Sequence, residues 1–131
     1  MSTRAWLKPL YRRRLWLGMW WLAIATVVAA CLLPGSDLPE VPVDDKVSHA
    51  LAFFALAASA VQLFRRGWPL LVVALALLGL GIAIELAQYL FTTTRAMEAA
   101  DVLADAIGIA AGMATAWTPF RDVLVNLDHP L

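Results

Sequence analysis

The chain has 131 residues, of which 62% are hydrophobic and only 15% are charged, and its mean hydropathy is +0.75. Soluble domains carry roughly 25% charged residues, so this composition excludes an ordinary water-soluble domain and indicates a membrane protein. The formal net charge is zero, but the charges are distributed unevenly along the chain. We expect one membrane domain covering residues 1–131, with no room for an appended soluble module.

Four apolar stretches are long enough to cross a bilayer, which takes about 20 residues of helix. We predict transmembrane helices over residues 15–33, 47–64, 68–91 and 99–120. Pro34-Gly35 ends the first stretch, Arg65-Arg66-Gly67 separates the second from the third, and the segment 92–95 closes the third. Because short connections force neighbouring helices to run antiparallel, the sequence predicts an all-α fold, a bundle of four transmembrane helices.

The basic residues predict the orientation of this bundle. Two of them, Lys46 and Arg95, fall on one side of the four-span arrangement, and the other eight fall on the opposite side: Arg4, Lys8, Arg12, Arg13, Arg14, Arg65, Arg66 and Arg121. The positive-inside rule then predicts a multi-pass membrane protein with both termini in the cytoplasm. We interpret the tryptophans near the span ends as interfacial anchors: Trp16, Trp20, Trp21, Trp68 and Trp117.

The N-terminal stretch has an alternative interpretation as a cleaved signal. Val28-Ala29-Ala30-Cys31 is similar to a lipoprotein cleavage site, in which the cysteine is acylated. The apolar run is longer than the 7–15 residues of a signal core and continues past Cys31. We therefore favour a retained first helix. Because Cys31 is the single cysteine, the chain has no intramolecular disulfide and no cysteine-based zinc site.

Five polar residues interrupt the predicted spans at one depth. His49 lies near the outer start of the second helix, Glu85 and Gln88 lie before the outer end of the third, and Asp101 and Asp105 lie near the outer start of the fourth. Ionisable groups at membrane depth are costly unless paired, so they usually face the bundle interior and mark a working site. We expect them to share one outward-facing polar pocket.

The charge balance limits the chemistry of this pocket. Glu85, Asp101 and Asp105 cannot all stay ionised in a low-dielectric site without nearby cations. Lys46 and Arg95 are the basic residues on that side, and the first turn of the fourth helix favours an ionised Asp101. Along the fourth helix, Gly108 and Gly112 continue the aspartate stripe, and we expect them to let another helix approach closely rather than to contact a ligand.

These residues together resemble the VanZ-like family. The resemblance rests on their order along the chain and spans about residues 32–112: Asp45-Lys46-x-x-His49 with Phe53, Glu85-x-x-Gln88, Arg95, and Asp101-x-x-x-Asp105-x-x-Gly108-x-x-x-Gly112. It implies a small bacterial membrane protein of four or five helices, in a family associated with resistance to the glycopeptide teicoplanin. The chain departs from the family pattern at Asp105, where the family usually has Asn. The additional acid favours a metal or a shared proton.

Three hypotheses for the function follow. The first is binding of an anionic lipid, a lipid-linked cell-wall precursor or a glycopeptide. The residues expected to bind this ligand are Asp45, Lys46, His49, Glu85, Gln88, Arg95, Asp101 and Asp105. In this hypothesis, lysine and arginine grip a phosphate. We expect membrane lipids, and not nucleic acid, as partners. The oligomeric state is not readable from the sequence.

The second hypothesis is a membrane-embedded hydrolase or transferase acting on such a lipid. His49 would be the nucleophile or general base, with Glu85 or Asp101 as its orienting carboxylate. A metal version would use a divalent ion held by His49, Glu85, Asp101 and Asp105, although the sequence requires no cofactor. No established catalytic signature supports it. The third hypothesis is that the polar residues only hold the bundle together or contact a partner protein.

Overall fold

The computed structural model describes residues 6–32, 45–91 and 99–128, and within the helices it leaves out the side chains of Asp45, Phe91 and Ala99. Four long helices account for most of the described chain: α1 (Arg13–Leu32), α2 (Asp45–Leu63), α3 (Trp68–Phe91) and α4 (Ala99–Ala114). All four are long and apolar enough to cross a membrane. The described residues contain no β-strand, only one isolated bridge between Leu7 and Phe64. The helical class expected from the sequence is therefore confirmed, as is the presence of four helices long and apolar enough to span a membrane.

Helix α2 is the centre of the bundle. It contacts α1, α3 and α4, and it carries the most deeply buried apolar side chains of the described residues, Phe53, Leu56, Ala57, Ala60 and Val61. Their spacing of three and four residues places them on adjoining faces of one helix. In contrast, α1 buries only Trp20. The core is thus built around the second span, with the first span at its edge.

The closest helix pair is α2 with α4, and glycine makes this approach possible. A Cβ added to Gly108 would collide with the backbone carbonyl oxygen of Ala50, and one added to Gly112 would lie 2.7 Å from the carbonyl oxygen of Phe54. The partners advance in the same direction along both helices, so α2 and α4 are parallel. Lipid is as apolar as leucine, so such close backbone packing is a main source of helix association in membranes. The packing role expected for both glycines is confirmed.

The fourth span differs from the prediction of a helix through residue 120. The α-helix ends at Ala114, and a 3₁₀ turn follows over Thr115–Trp117. Thr118 is then extended, with φ −109° and ψ 164°. Pro119 explains this break, because the residue before a proline is driven out of the helical region. The hydroxyl of Thr118 also donates to the carbonyl oxygen of Thr115, at 2.6 Å, replacing a helical partner.

After this break the chain folds back onto α2 instead of leaving the bundle. A second 3₁₀ turn (Pro119–Asp122) and a short helix α5 (Val123–Leu127) form this C-terminal segment. Gln62 of α2 holds it at two points: its Nε2 donates to the carbonyl oxygen of Phe120 at 2.8 Å, and its Oε1 accepts from the amide of Leu124 at 3.0 Å. In the sequence, Gln62 is only a polar residue within the apolar run of the second span.

The residues before α1 secure the same end of the bundle. Asp128 is buried and accepts from the backbone N–H of Arg12 at 3.0 Å and from the Arg12 guanidinium at 3.3 Å. Burial raises the pKa of Asp128. The hydrogen bond from the backbone N–H of Arg12 and the charge of Arg12 are among the causes that lower it, and the net result is a pKa below its ordinary value. Lys8 forms an ion pair with Asp122 at 3.0 Å.

Trp20 is part of the core, which corrects its interpretation as an interfacial anchor. Its side chain is buried, its indole N–H donates to the carbonyl oxygen of Leu56 at 3.1 Å, and its ring meets that of Phe64 edge-on at 5.3 Å. Trp21, Trp68 and Trp117 are exposed, as interfacial side chains are. A buried indole needs an acceptor, and the carbonyl of the neighbouring helix supplies it.

Candidate functional site

The polar residues of the three predicted helices lie buried at one end of the bundle, where α1 and α3 end and α2 and α4 begin. We call this the site end. Glu85 and Asp105 are each 1% exposed, and His49, Gln88 and Asp101 are also buried. The opposite end is called the basic end and holds these described basic residues: Lys8, Arg12, Arg13, Arg14, Arg65, Arg66 and Arg121.

The central contact of the site end joins His49 of α2 to Asp105 of α4. His49 Nδ1 lies 2.9 Å from Asp105 Oδ1, and both side chains are buried. An ionised carboxylate can only accept hydrogen bonds, so in the form of the pair with an ionised Asp105 the proton of this bond is on Nδ1. The acid–base chemistry of the ring is then at Nε2. This is the arrangement by which a carboxylate fixes the tautomer of a histidine that exchanges protons or binds a ligand.

Gly81 of α3 brings a third helix against this pair. A Cβ added at residue 81 would lie 2.7 Å from Asp105 Oδ2, so the glycine makes room for the carboxylate. Because α3 and α4 are antiparallel neighbours, moving one turn toward the site end leads to Glu85 on α3 and to Asp101 on α4. These two acids therefore lie at the same level on facing sides of the two helices. The depth expected from the sequence is reproduced by this register.

Gln88 connects the site end to the first helix. Its Nε2 donates to the backbone carbonyl oxygen of Cys31 at 2.6 Å. Cys31 itself lies within α1, which continues to Leu32. A carbonyl in the last turn of a helix lacks its intrahelical partner, so the glutamine supplies a donor that α1 cannot. All four spans thus contribute to the site end.

The electrostatics of the site end follow from two helix starts. Asp101 lies in the first turn of α4, as expected, where the helix dipole favours a negative charge. Lys46 is exposed in the first turn of α2, three residues before His49. This places a cation at the exposed start of α2 and the acids inside. Such an arrangement suits a ligand that enters from the boundary and presents an anionic group first.

The proposed metal ligands do not assemble into a described metal site. Within residues 6–32, 45–91 and 99–128, no group of three or more His, Cys, Asp and Glu side chains is placed to hold a metal ion. Within the set of His49, Glu85, Asp101 and Asp105, His49 and Asp105 are in direct contact. The structure thus favours a hydrogen-bonded His–Asp pair over a four-ligand cation site.

Two members of the predicted ligand-binding set lie outside what the structure describes. Arg95 belongs to the segment 92–98, and only the backbone of Asp45 is described. The segments 33–44 and 92–98, which join the spans at the site end, lie outside the described residues as well. The outward-facing pocket therefore stays a prediction. A groove of about 550 Å³ that the described residues do form lies at the basic end.

Two features of the site were not predicted from the sequence. The sequence favours Glu85 or Asp101 as the carboxylate beside His49, whereas the described contact is with Asp105. A spacing of four residues on one helix puts Asp101 and Asp105 on one face, so the sequence offered no basis for choosing between them. Gly81 was not singled out, because small residues are frequent throughout these spans.

Comparisons with protein-family models, with curated proteins and with solved structures give no match for this chain. The function of the chain is therefore inferred from the geometry of its own residues.

Proposed function

We propose that this protein binds an anionic lipid, or a lipid-linked glycan precursor of the cell envelope, at its site end. The observation that supports this most is the burial of five polar side chains from three helices at one level. An ionisable residue costs about 2.5–3.5 kcal/mol at the centre of a membrane helix on insertion scales, and a smaller amount toward the ends where these residues lie. Three acids and a histidine held together at that cost are better explained by a ligand than by packing alone.

The roles follow from the charges. Lys46 at the boundary and Arg95 in the neighbouring segment would meet the phosphate, arginine through paired donors and lysine as a point charge. The pairing with Asp105 would favour the protonated form of His49, whose Nε2–H would then donate to a phosphate oxygen. Glu85 and Asp101 would accept hydrogen bonds from sugar or glycerol hydroxyls.

We also propose a protein family and a cellular location for this chain. The chain resembles the VanZ-like family in the order of these residues along the spans: Lys46, His49, Glu85, Asp101 and Gly108. That family is associated with teicoplanin resistance. The excess of basic residues at the basic end supports a cytoplasmic position for that end in a bacterial inner membrane. The site end would then face the extracytoplasmic leaflet, where lipid-linked precursors are used and where glycopeptides act.

A binding experiment tests the proposal. The protein is placed in nanodiscs of phosphatidylcholine, and retention of phosphatidylglycerol, polyprenyl phosphate or a polyprenyl-linked disaccharide-peptide is measured by native mass spectrometry. We expect Lys46→Gln and Arg95→Ala each to weaken retention by about tenfold or more, the loss of one charge-assisted contact. Arg65→Gln, at an exposed position of the basic end, is the matched control. Equal retention by Lys46→Gln, Arg95→Ala and the unaltered protein would refute the proposal.

The contact between His49 and Asp105 favours one further candidate, an enzyme that hydrolyses or transfers the same class of lipid. His49 Nε2 would act as general base or nucleophile, and Asp105 would orient the ring. We expect His49→Gln to abolish turnover, and Asp105→Asn to slow it and shift its pH profile. Lipid that is bound but left chemically unchanged by the unaltered protein would leave binding as the function.

A purely structural role makes a different prediction for the same residues. Under it, Glu85→Gln and Asp101→Asn lower the thermal stability and the amount of protein, and teicoplanin susceptibility changes only in proportion. Under the binding proposal, a fully folded Asp101→Asn protein at unchanged amount loses its effect on susceptibility. Folded yield by size-exclusion chromatography and growth in teicoplanin, measured on the same cells, separate the two.

A further inference from the structure

The groove at the basic end is bounded by three elements of the chain. Trp16, Trp20 and Ala23 of α1 form one wall, Gln62 of α2 lies at the base, and the C-terminal segment forms the other wall with Leu124. Its volume is about 550 Å³, within the roughly 300–1,000 Å³ typical of small-molecule pockets. We call it the basic-end groove.

The position and lining of the basic-end groove favour a hydrocarbon occupant. Two of its bounding elements, α1 and α2, are candidate membrane spans, so the groove lies at the level of the bilayer. Its lining is almost entirely apolar, and Phe120 and Leu127 of the C-terminal segment are 68% and 74% exposed. Exposed apolar side chains that border an apolar groove mark a binding surface more often than a lone exposed leucine does.

The charges around the groove favour an anionic headgroup. Among the described residues, seven basic side chains lie at this end and only two acidic ones, Asp122 and Asp128. Asp122 is paired with Lys8 and with Arg121, and Asp128 is paired with Arg12. The basic side chains outnumber these two acids, so this end keeps a positive charge. Arg13 lies one turn before Trp16 on the same face of α1, and Arg121 follows Phe120; Trp16 and Phe120 line the groove, so both arginines lie close to it along the chain.

We propose that the basic-end groove holds an acyl chain of an anionic phospholipid of the adjoining leaflet, with Arg13 and Arg121 facing its phosphate. The proposal is independent of the function proposed for the site end, because no residue is shared between the two. A second copy of the chain is a poorer occupant. A two-fold contact across this groove would bring the two sets of arginines against each other.

Tryptophan quenching tests the proposal, because Trp16 and Trp20 line the groove. A variant keeps only these two indoles by replacing the others with phenylalanine, at Trp6, Trp21, Trp68 and Trp117. It is reconstituted in vesicles of phosphatidylcholine that contain a small fraction of lipid brominated in the upper half of the acyl chain. We expect brominated phosphatidylglycerol to quench in preference to brominated phosphatidylcholine, by about fivefold in apparent affinity for each arginine that meets the headgroup.

Substitutions then separate the groove from a general attraction to the basic end. Ala23→Phe fills the groove and should remove the preference, whereas Ala25→Phe, on the opposite face of α1, should keep it. Arg13→Gln together with Arg121→Gln should reduce the preference without emptying the groove. Equal quenching by the two brominated lipids, or a preference that survives Ala23→Phe, would overturn the proposal. Absence of quenching by either lipid, with a dimer in chemical crosslinking, would overturn it in favour of a second copy.

Discussion

The two ends of this bundle handle polar groups in opposite ways. At the site end, the helices meet through glycine, and the ionisable side chains His49 and Asp105 are enclosed between them. At the basic end, the helices leave a groove, and Lys8 and Arg12 form ion pairs with the C-terminal segment. Close backbone packing thus encloses both members of the buried pair at the site end. At the basic end the one buried acid among the described residues, Asp128, is paired with an exposed Arg12, and apolar side chains border open space.

The largest expected effect comes from separating α2 and α4. Gly108→Ala places a methyl group against the carbonyl oxygen of Ala50, and neither backbone can give way without moving the helix. We expect a loss of about 3 kcal/mol or more in the free energy of unfolding, at the upper end of overpacking costs. The measurement is unfolding in mixed detergent micelles.

Gly79→Ala is the matched control, because a Cβ at residue 79 meets nothing within 4 Å. It should be neutral or gain up to about 1 kcal/mol from helix propensity. Equal stability of the Gly108→Ala and Gly79→Ala proteins would contradict the claim that the site end depends on close packing.

A smaller effect is expected when the carboxylate is displaced without separating the helices. Gly81→Ala puts a methyl group 2.7 Å from Asp105 Oδ2, so Asp105 must turn and its contact with His49 weakens. We expect a loss of about 1–2 kcal/mol, close to the upper range measured for hydrogen bonds between membrane helices. Chemical unfolding of the single and double variants provides the measurement.

The coupling between the two positions sharpens this prediction. In a His49→Gln background the contact is already altered, so Gly81→Ala should cost much less than it does alone. Additive losses from the two substitutions would mean that Gly81 supports packing and not the His–Asp pair.

The smallest effect on the whole protein is expected at the basic end, and it depends on pH. The pKa of Asp128 is lowered from its ordinary value of 3.8 when the C-terminal segment is docked. Its contribution to docking is therefore complete above pH 3.8 and is lost as the pH falls through the lower pKa of the docked form. A spin label at Asn126→Cys, in a Cys31→Ser protein, reports the docking.

We expect the label to stay immobile from neutral pH down to about pH 4 and to gain mobility below it. Asp128→Asn should make it mobile at neutral pH, while Asp122→Asn, which alters a half-exposed pair, should have a weaker effect. A label whose mobility is the same in the Asp128→Asn protein would show that the remaining contacts, those of Gln62 and Lys8, hold the segment without Asp128.

Much of the fold could be predicted because hydrophobicity and helix geometry decide it. The four spans follow from runs of apolar residues, and α3 begins and ends where the sequence places it. The common depth of His49, Glu85 and Asp101 follows from their distance from the helix ends. These predictions succeed because they use only length and rise along single helices.

The remaining features depend on which side chains face each other across helices. Trp20 looks like an interfacial anchor in the sequence, but a carbonyl of α2 lies within reach of its indole. Gln62 acquires its role only because the chain turns back at Thr118-Pro119. The choice of Asp105 as the partner of His49 needs the offset between α2 and α4, which no periodicity within one helix provides.

The distance along the chain between His49 and Asp105, 56 residues, bears on how the protein enters the membrane. A ribosome delivers α2 to the translocon well before α4 has been synthesised, so the histidine must wait in lipid or in the translocon without its carboxylate. A neutral imidazole tolerates that delay better than an imidazolium would. The acids of α4 arrive last, when α2 and α3 already offer a polar surface to receive them. The aspartates, which are costly in lipid, are therefore synthesised after the helices against which they pack.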